Sequence, residues 1–484
     1  MGRSFRSLFV LTAAVALAAL LAYSRPLFGQ AAVPEAPSPP KAETVPSKAM
    51  PDLEEAAKKF SARDWDGALT LLEAACKKNT DLPPPRVLMF DWFRQSQQGF
   101  MARMALERAV MSDPKDPEAY VIFGNIALQE RRITDAQLLF LKAKELIGPF
   151  DKSLKRKNIL EPQTISGLAN VEEAREQWPE AQAQLETLLK LNPKDAMAMQ
   201  RLARALFQQK EATAALKMLR ASKEADKQNM LTPEAALGRF YEQYGDHKNA
   251  VTWMTHALAK APEDLATQLV VAQWNLETAQ LDEAEKHSAK ALKLADDARR
   301  TATEAEMPQV EQRLLSAKVL RGLVALFRKE YKNAEKYFED AHLQSPGNFA
   351  AKNNLALALC EEKIEGGGPD MAKVNKALEY ATDSYQQNSR NSETASTLGW
   401  VLYKAGRRQQ AEGALRQAAQ AGNLTPDTAY FLAQVSYDGG NKDLAKNLLE
   451  ASLKTVSFSM RPEAQALLDK IKAEPPPKDK DNKK

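Results

Sequence analysis

The sequence predicts an all-α fold: a solenoid of about eleven stacked helix-turn-helix units, closed by a single C-terminal helix. Three observations predict it. Small residues recur in steps of 34, as at Ala169 and Ala203, Gly238 and Ala272, Gly322 and Ala356, and Gly399 and Ala433. An alanine follows most of these 12 residues later, among them Ala181, Ala215, Ala250, Ala334 and Ala445. Each interval reads as helix, short turn, helix, with apolar residues at helical spacing. A fixed period in this range signals stacked supersecondary units.

The elements follow in chain order. Residues 1–31 open with Arg3 and Arg6, then an uncharged apolar run over 8–23. A basic start before an apolar stretch is the pattern of an export signal. At 1.5 Å per residue the run spans about 24 Å, short of the ~30 Å hydrocarbon core. Cleavage after Ser24 or Ala31 and retention as a membrane anchor both fit; either takes the bulk of the chain out of the cytosol. Residues 32–51 are rich in proline and form an extended spacer. The repeat array occupies 52–456, a capping helix 457–473, and a charged tail 474–484.

The unit at 231–264 shows the pattern best. Pro233 suits a first helical turn. Leu237, Gly238 and Tyr241 form one apolar stripe, Gly245-Asp246 breaks the helix, and Ala250, Met254, Ala257 and Leu258 form the second stripe. Gly238 and Ala250 sit where two helix axes approach closely. The unit at 315–348 repeats this with Gly322, Tyr331, Ala334, Phe338, Ala341 and Pro346, and 117–150 does so with Gly124, Ala136, Phe140 and Ala143. Phe90 is the one large residue on the small-residue beat. These residues resemble the tetratricopeptide repeat, over roughly 52–455. The resemblance implies a right-handed superhelical solenoid whose first helices line a concave groove for protein or peptide partners.

The phase slips three times. Eleven extra residues fall around 152–157, sixteen around 296–309 and nine around 364–370. Insertions of this kind are expected as loops on the edges of a solenoid.

Composition argues against several function classes. Charged residues make up 27% of the chain but the net charge is only +4, so no basic face marks a nucleic-acid partner. Cys76 and Cys360 read as core filler. His247, His256, His287 and His342 share no metal-ligand spacing, and 366–368 lacks the lysine and hydroxyl residue of a phosphate loop. No catalytic constellation, metal site or cofactor is expected, and the reading is non-enzymatic.

What remains is recognition by the groove. The residue after each small residue reads Asn125, Asn170, Arg204, Arg239 and Gln273, then Leu323, Leu357 and Trp400. Arg201, Gln208 and Gln243 extend the polar half, and Phe327 and Tyr403 the apolar half. Amides and guanidiniums suit a peptide's backbone and carboxylates; the apolar half suits hydrophobic side chains. The family's carboxylate clamp also needs lysines, and those slots hold Val121, Ser166, Gln200 and Ala235. The sequence departs from that clamp. The expectation is an exported or membrane-tethered scaffold for protein or peptide partners. The alternative is an assembly factor of an envelope or secretion complex, acting through repeat edges and tips.

Overall fold

The computed structural model describes residues 50–227, 230–389, 391–420 and 424–474. The apolar run at 8–23, the spacer up to residue 49 and the tail from 475 lie outside them. All regular structure among the described residues is helical, apart from one isolated bridge between Lys363 and Pro369. The chain divides into two compact units, meeting in sequence between Pro233 and Glu234.

In the N-terminal unit, consecutive helices pair as hairpins: α1 (Met50–Ser61) with α2 (Trp65–Lys78), α3 (Pro85–Gln95) with α4 (Gly99–Ser112), and α5 (Glu118–Gln129) with α6 (Ile133–Ile147). α7 (Leu154–Ala174) then pairs with α8 (Trp178–Leu191), and α9 (Ala196–Gln208) with α10 (Ala212–Ala225). The C-terminal unit opens with α11 (Pro233–Gln243) and α12 (His247–Lys260). It continues with α13 (Leu265–Glu277) on α14 (Leu281–Thr301), α15 (Met307–Phe327) on α16 (Tyr331–Gln344), and α17 (Phe349–Glu361) on α18 (Met371–Gln387). α19 (Ser392–Lys404) on α20 (Arg408–Gln420) and α21 (Pro426–Asp438) on α22 (Lys442–Ser452) complete the pairs, and α23 (Arg461–Ala473) stands last.

Local chemistry fixes the ends. The side chains of Asp195, Asp264, Asn348 and Asn391 each accept a backbone N–H of the first turn that follows, filling donors the helix leaves open. Inside the hairpins the backbone turns through the left-handed region, seven residues after the beat position. Arg63, Gln97, Arg131, Glu176 and Lys210 do so in the N-terminal unit, and Gly245, Ala279, Lys329, Gly406 and Gly440 in the C-terminal one.

The beat residues are the helix contact points. Ala169, Ala203, Ala272, Ala356 and Ala433 are fully buried, as are their partners Ala181, Ala215, Ala284 and Ala445. At two of these positions a glycine makes room for a ring. A Cβ on Gly124 would come within 2.8 Å of the Phe140 ring, and one on Gly322 within 2.5 Å of Phe338. Phe90 breaks the small-residue rule without exposure: it packs in the core of the first two hairpins with Phe93, Ala102 and Leu106.

The insertions differ from the edge loops the sequence leads one to expect. The first extends a helix: α7 runs 21 residues, and its added turns are held down by buried Arg156 and Leu160. The second lengthens both α14 and α15 to 21 residues, because Ala291 and Ala295 continue the buried stripe beside Leu314, Leu315 and Ala317. Only the third is a turn, at 362–370, with Gly366 and Gly367 in the left-handed region.

Candidate partner-binding surfaces

In the N-terminal unit Asn125, Asn170 and Arg204 lie on α5, α7 and α9, each one residue after a buried beat residue. This common register puts them on corresponding faces of successive first helices. All three are half-buried. Among the described residues neither Asn125 nor Asn170 has its side-chain amide in an intramolecular hydrogen bond. Arg201 is committed: it pairs with Glu173 at 2.9 Å and donates to Ser166 Oγ at 2.9 Å. Arg204 lies over the Trp178 ring, 5.3 Å from its centroid. Gln208 keeps a buried Nε2 with no hydrogen-bond partner.

The same unit holds a cleft of about 390 Å³ between the ends of α2 and α4 and the start of α7. Cys76, Lys77, Arg86, Asp113, Lys152 and Arg156 line it. Beneath it the Arg156 guanidinium donates to Asp116 at 2.7 Å and to Glu118 at 2.6 Å, all three buried. Burial pushes the Glu118 carboxyl up, and Arg156 offsets part of that push. Ser153, at the start of the inserted turns, donates to Asp81 at 2.5 Å.

In the C-terminal unit Arg239 and Gln273 of the polar lining are bonded within the chain. Arg239 pairs with Glu277 at 2.5 Å, and Gln273, itself buried, donates to the same carboxylate at 2.8 Å. Gln243 keeps a buried Oε1 without a partner. The apolar lining is packed. Trp400 is 2% exposed, donates its indole N–H to Glu361 at 2.6 Å and stacks on Phe431 at 4.3 Å and Tyr403 at 5.1 Å. Lys404 reaches the same Glu361 at 2.8 Å and lies over the Trp400 ring. The Tyr403 hydroxyl donates to Asp438, and burial holds its pKa above the usual range. Leu323 is buried, and Phe327 and Leu357 pack against the same apolar cluster.

One feature of this unit has no counterpart in the sequence reading. Between α22 and α23 the chain turns back to hairpins far upstream. Ser457 Oγ donates to the Leu276 carbonyl at 2.5 Å, across 181 residues. Lys329 Nζ donates to the Ser459 carbonyl and pairs with Glu463, both at 2.7 Å. Asp427 accepts from Ser459 Oγ at 2.8 Å and from the Met460 amide at 2.9 Å. Contacts over such separations leave no trace in a 34-residue period.

The histidines are dispersed: His287 is buried against Gln268, His247 is exposed beside Glu242, and His342 packs edge-on to Tyr380. Among the described residues no group of three or more His, Cys, Asp or Glu side chains is placed to hold a metal ion. No helix among them is long and apolar enough to cross a membrane.

A tetratricopeptide-repeat family model matches residues 167–229 and 396–469. No curated protein sequence matches the chain. Among solved structures, yeast Tom70 is similar at 13% identity, with 88% of this chain and 96% of that one covered and a TM-score of 0.35. A tetratricopeptide-repeat protein of Parabacteroides merdae is similar at 12% identity, over 57% of this chain and 98% of that one, with a TM-score of 0.36. The tetratricopeptide domain of P58(IPK) is similar at 15% identity, over 84% and 100%, with a TM-score of 0.25. With paired helices on a 34-residue beat and the family model matching in both units, the chain carries tetratricopeptide repeats in each.

Proposed function

We propose that this protein is an exported or membrane-tethered scaffold that holds protein or peptide partners on the first helices of its repeats, without catalysis. The observation that carries this reading is the pair of half-buried amides at Asn125 and Asn170. They occupy the same register on successive first helices, and none of the described residues hydrogen-bonds to them. An asparagine amide both donates and accepts, so two in line match the alternating groups of an extended peptide backbone. Arg204 beside them supplies charge for a partner's carboxylate.

The test is cross-linking and pull-down from intact cells, comparing the unaltered chain with N125A/N170A. Loss of captured partners at unchanged protein level is the expected result. Unchanged capture would favour action through edges. That second reading draws support from exposed apolar side chains on the second helices, Phe100 at 76% and Leu138 at 63%. Sequencing the mature N-terminus tests export: a start near residue 25 or 32 supports a cleaved signal, Met1 in the membrane fraction an anchor. A cytosolic chain beginning at Met1 would overturn export.

A further inference from the structure

The apolar lining of the C-terminal unit shares its core with a segment from far down the chain. Leu323 and Trp400 belong to one continuous apolar cluster with Phe458 and Met460, and Phe327, Leu357 and Tyr403 pack against it. Phe458 is 5% and Met460 2% exposed. The five residues suited to holding a partner's hydrophobic side chains therefore share their core with two of the chain's own. The first helices there are deeply packed. From Ala350 to Glu361 all residues but Leu357 are buried, Lys352, Asn353 and Asn354 included.

We propose that residues 454–460 are a strap occupying the partner groove of the C-terminal unit. A partner displaces it with a segment of like chemistry: an extended stretch alternating small hydroxyl and large apolar side chains, as in Ser457-Phe458-Ser459-Met460. The proposal rests on the groove reading above, but it concerns the other unit.

The manner of attachment separates the strap from the cap. α23 is fixed by a full apolar face, Ala464, Leu467, Leu468 and Ile471, in the manner of a terminal helix closing an array. The strap has less to hold it. The backbone N–H groups of Val456, Ser457 and Phe458 enter no backbone hydrogen bond among the described residues, and Val456 is 64% exposed. Its position depends on the Ser457 hydroxyl, the Lys329 ammonium, the Asp427 carboxylate, the Arg461 guanidinium on the Thr455 carbonyl and two apolar side chains. Segments with little backbone bonding open toward the low end of a protein's local stability range. A competing segment recovers each interaction: a hydroxyl for the Leu276 carbonyl, a carbonyl for Lys329, an amide for Asp427, and two apolar side chains.

The probe is a fluorescein-labelled peptide of residues 453–464, added to the full chain and followed by anisotropy. F458S/M460S weakens the internal strap and changes no residue of the first helices. It should bind the peptide at least tenfold more tightly than the unaltered chain does. Equal affinity, with an unchanged circular-dichroism melt, would overturn the proposal. A second measurement needs no variant. Excess unlabelled peptide should speed hydrogen exchange at the Ser459 and Met460 amides of the unaltered chain severalfold, and protection that stays unchanged at saturating peptide also overturns it. The outcome separates from that of the groove reading. Strap displacement with N125A/N170A capture unchanged leaves the strap standing alone, and lost capture with an immovable strap leaves the groove reading alone.

Discussion

The ring of Phe140 lies so close to Gly167 that a Cβ there would fall 2.4 Å from it. Phe140 is fully buried between this glycine and Gly124, so the ring has nowhere to retreat. Gly167→Ala should destabilise the N-terminal unit by about 1–3 kcal/mol, the usual cost of overpacking. Gly322→Ala, facing Phe338, should cost as much in the C-terminal unit. Gly238→Ala should be milder, because its neighbour at 3.2 Å is the adaptable side chain of Met254. Urea melts of the three variants check the order.

Arg156 is the shared cation of two buried carboxylates. Arg156→Ala strands Asp116 and Glu118 in the interior, and breaking a buried pair from one side costs about 3–5 kcal/mol. Arg156→Lys should recover only part, since a single ammonium cannot reproduce the forked contacts to both. The inserted turns of α7 depend on this anchor. Limited proteolysis should cut near 152–157 in the alanine variant and spare the unaltered chain.

Asp91 gives the N-terminal unit a pH dependence. Burial raises its carboxyl to about 6, with only a distant offset from Arg94 at 3.8 Å. In the unfolded chain it titrates near 3.8. The folded state therefore holds the proton more tightly. Its contribution is fully present below about pH 4 and is lost as pH rises through 6. Relative to Asp91→Asn, the unaltered chain should lose on the order of 2 kcal/mol between pH 4.5 and 7.5. Denaturant midpoints at those two values measure it, and a parallel pair of curves would refute the assignment.

Neither cysteine should react in the folded chain. Burial pushes the Cys76 thiol up to about 12, and Cys360 is raised well above its usual value, so thiolate is scarce at neutral pH. Intact-mass measurement after N-ethylmaleimide should show no adduct on the native protein and two on the urea-unfolded one.

The helical hairpins were legible in the sequence because the contact points recur. A residue such as Ala203 or Ala215 must be small for two axes to meet, and that demand returns with every unit. The insertions were less legible, since added helical turns keep the same 3.6-residue spacing; nothing at 296–309 distinguishes a longer hairpin from an edge loop. The candidate groove was legible only as register. Position alone identified Asn125 and Trp400 alike, yet the first is half-buried with an unbonded amide and the second is stacked between aromatic rings. What decides between them is side-chain packing from elsewhere in the chain, Phe431 and Tyr403 on Trp400, which register does not encode.

The turns within the hairpins carry a consequence for how the chain folds. All five in the N-terminal unit place a non-glycine residue in the left-handed region, whereas Gly245, Gly406 and Gly440 relieve three of those in the C-terminal unit. A side chain there costs on the order of 1 kcal/mol. In a repeat array, order can nucleate at any unit and spread to its neighbours. Nucleation should therefore favour the least strained hairpins, α11–α12, α19–α20 and α21–α22, with order spreading from them to their neighbours. Pulse-labelled hydrogen exchange during refolding would then show amides near Gly406 and Gly440 protected before those near Gln97 and Arg131.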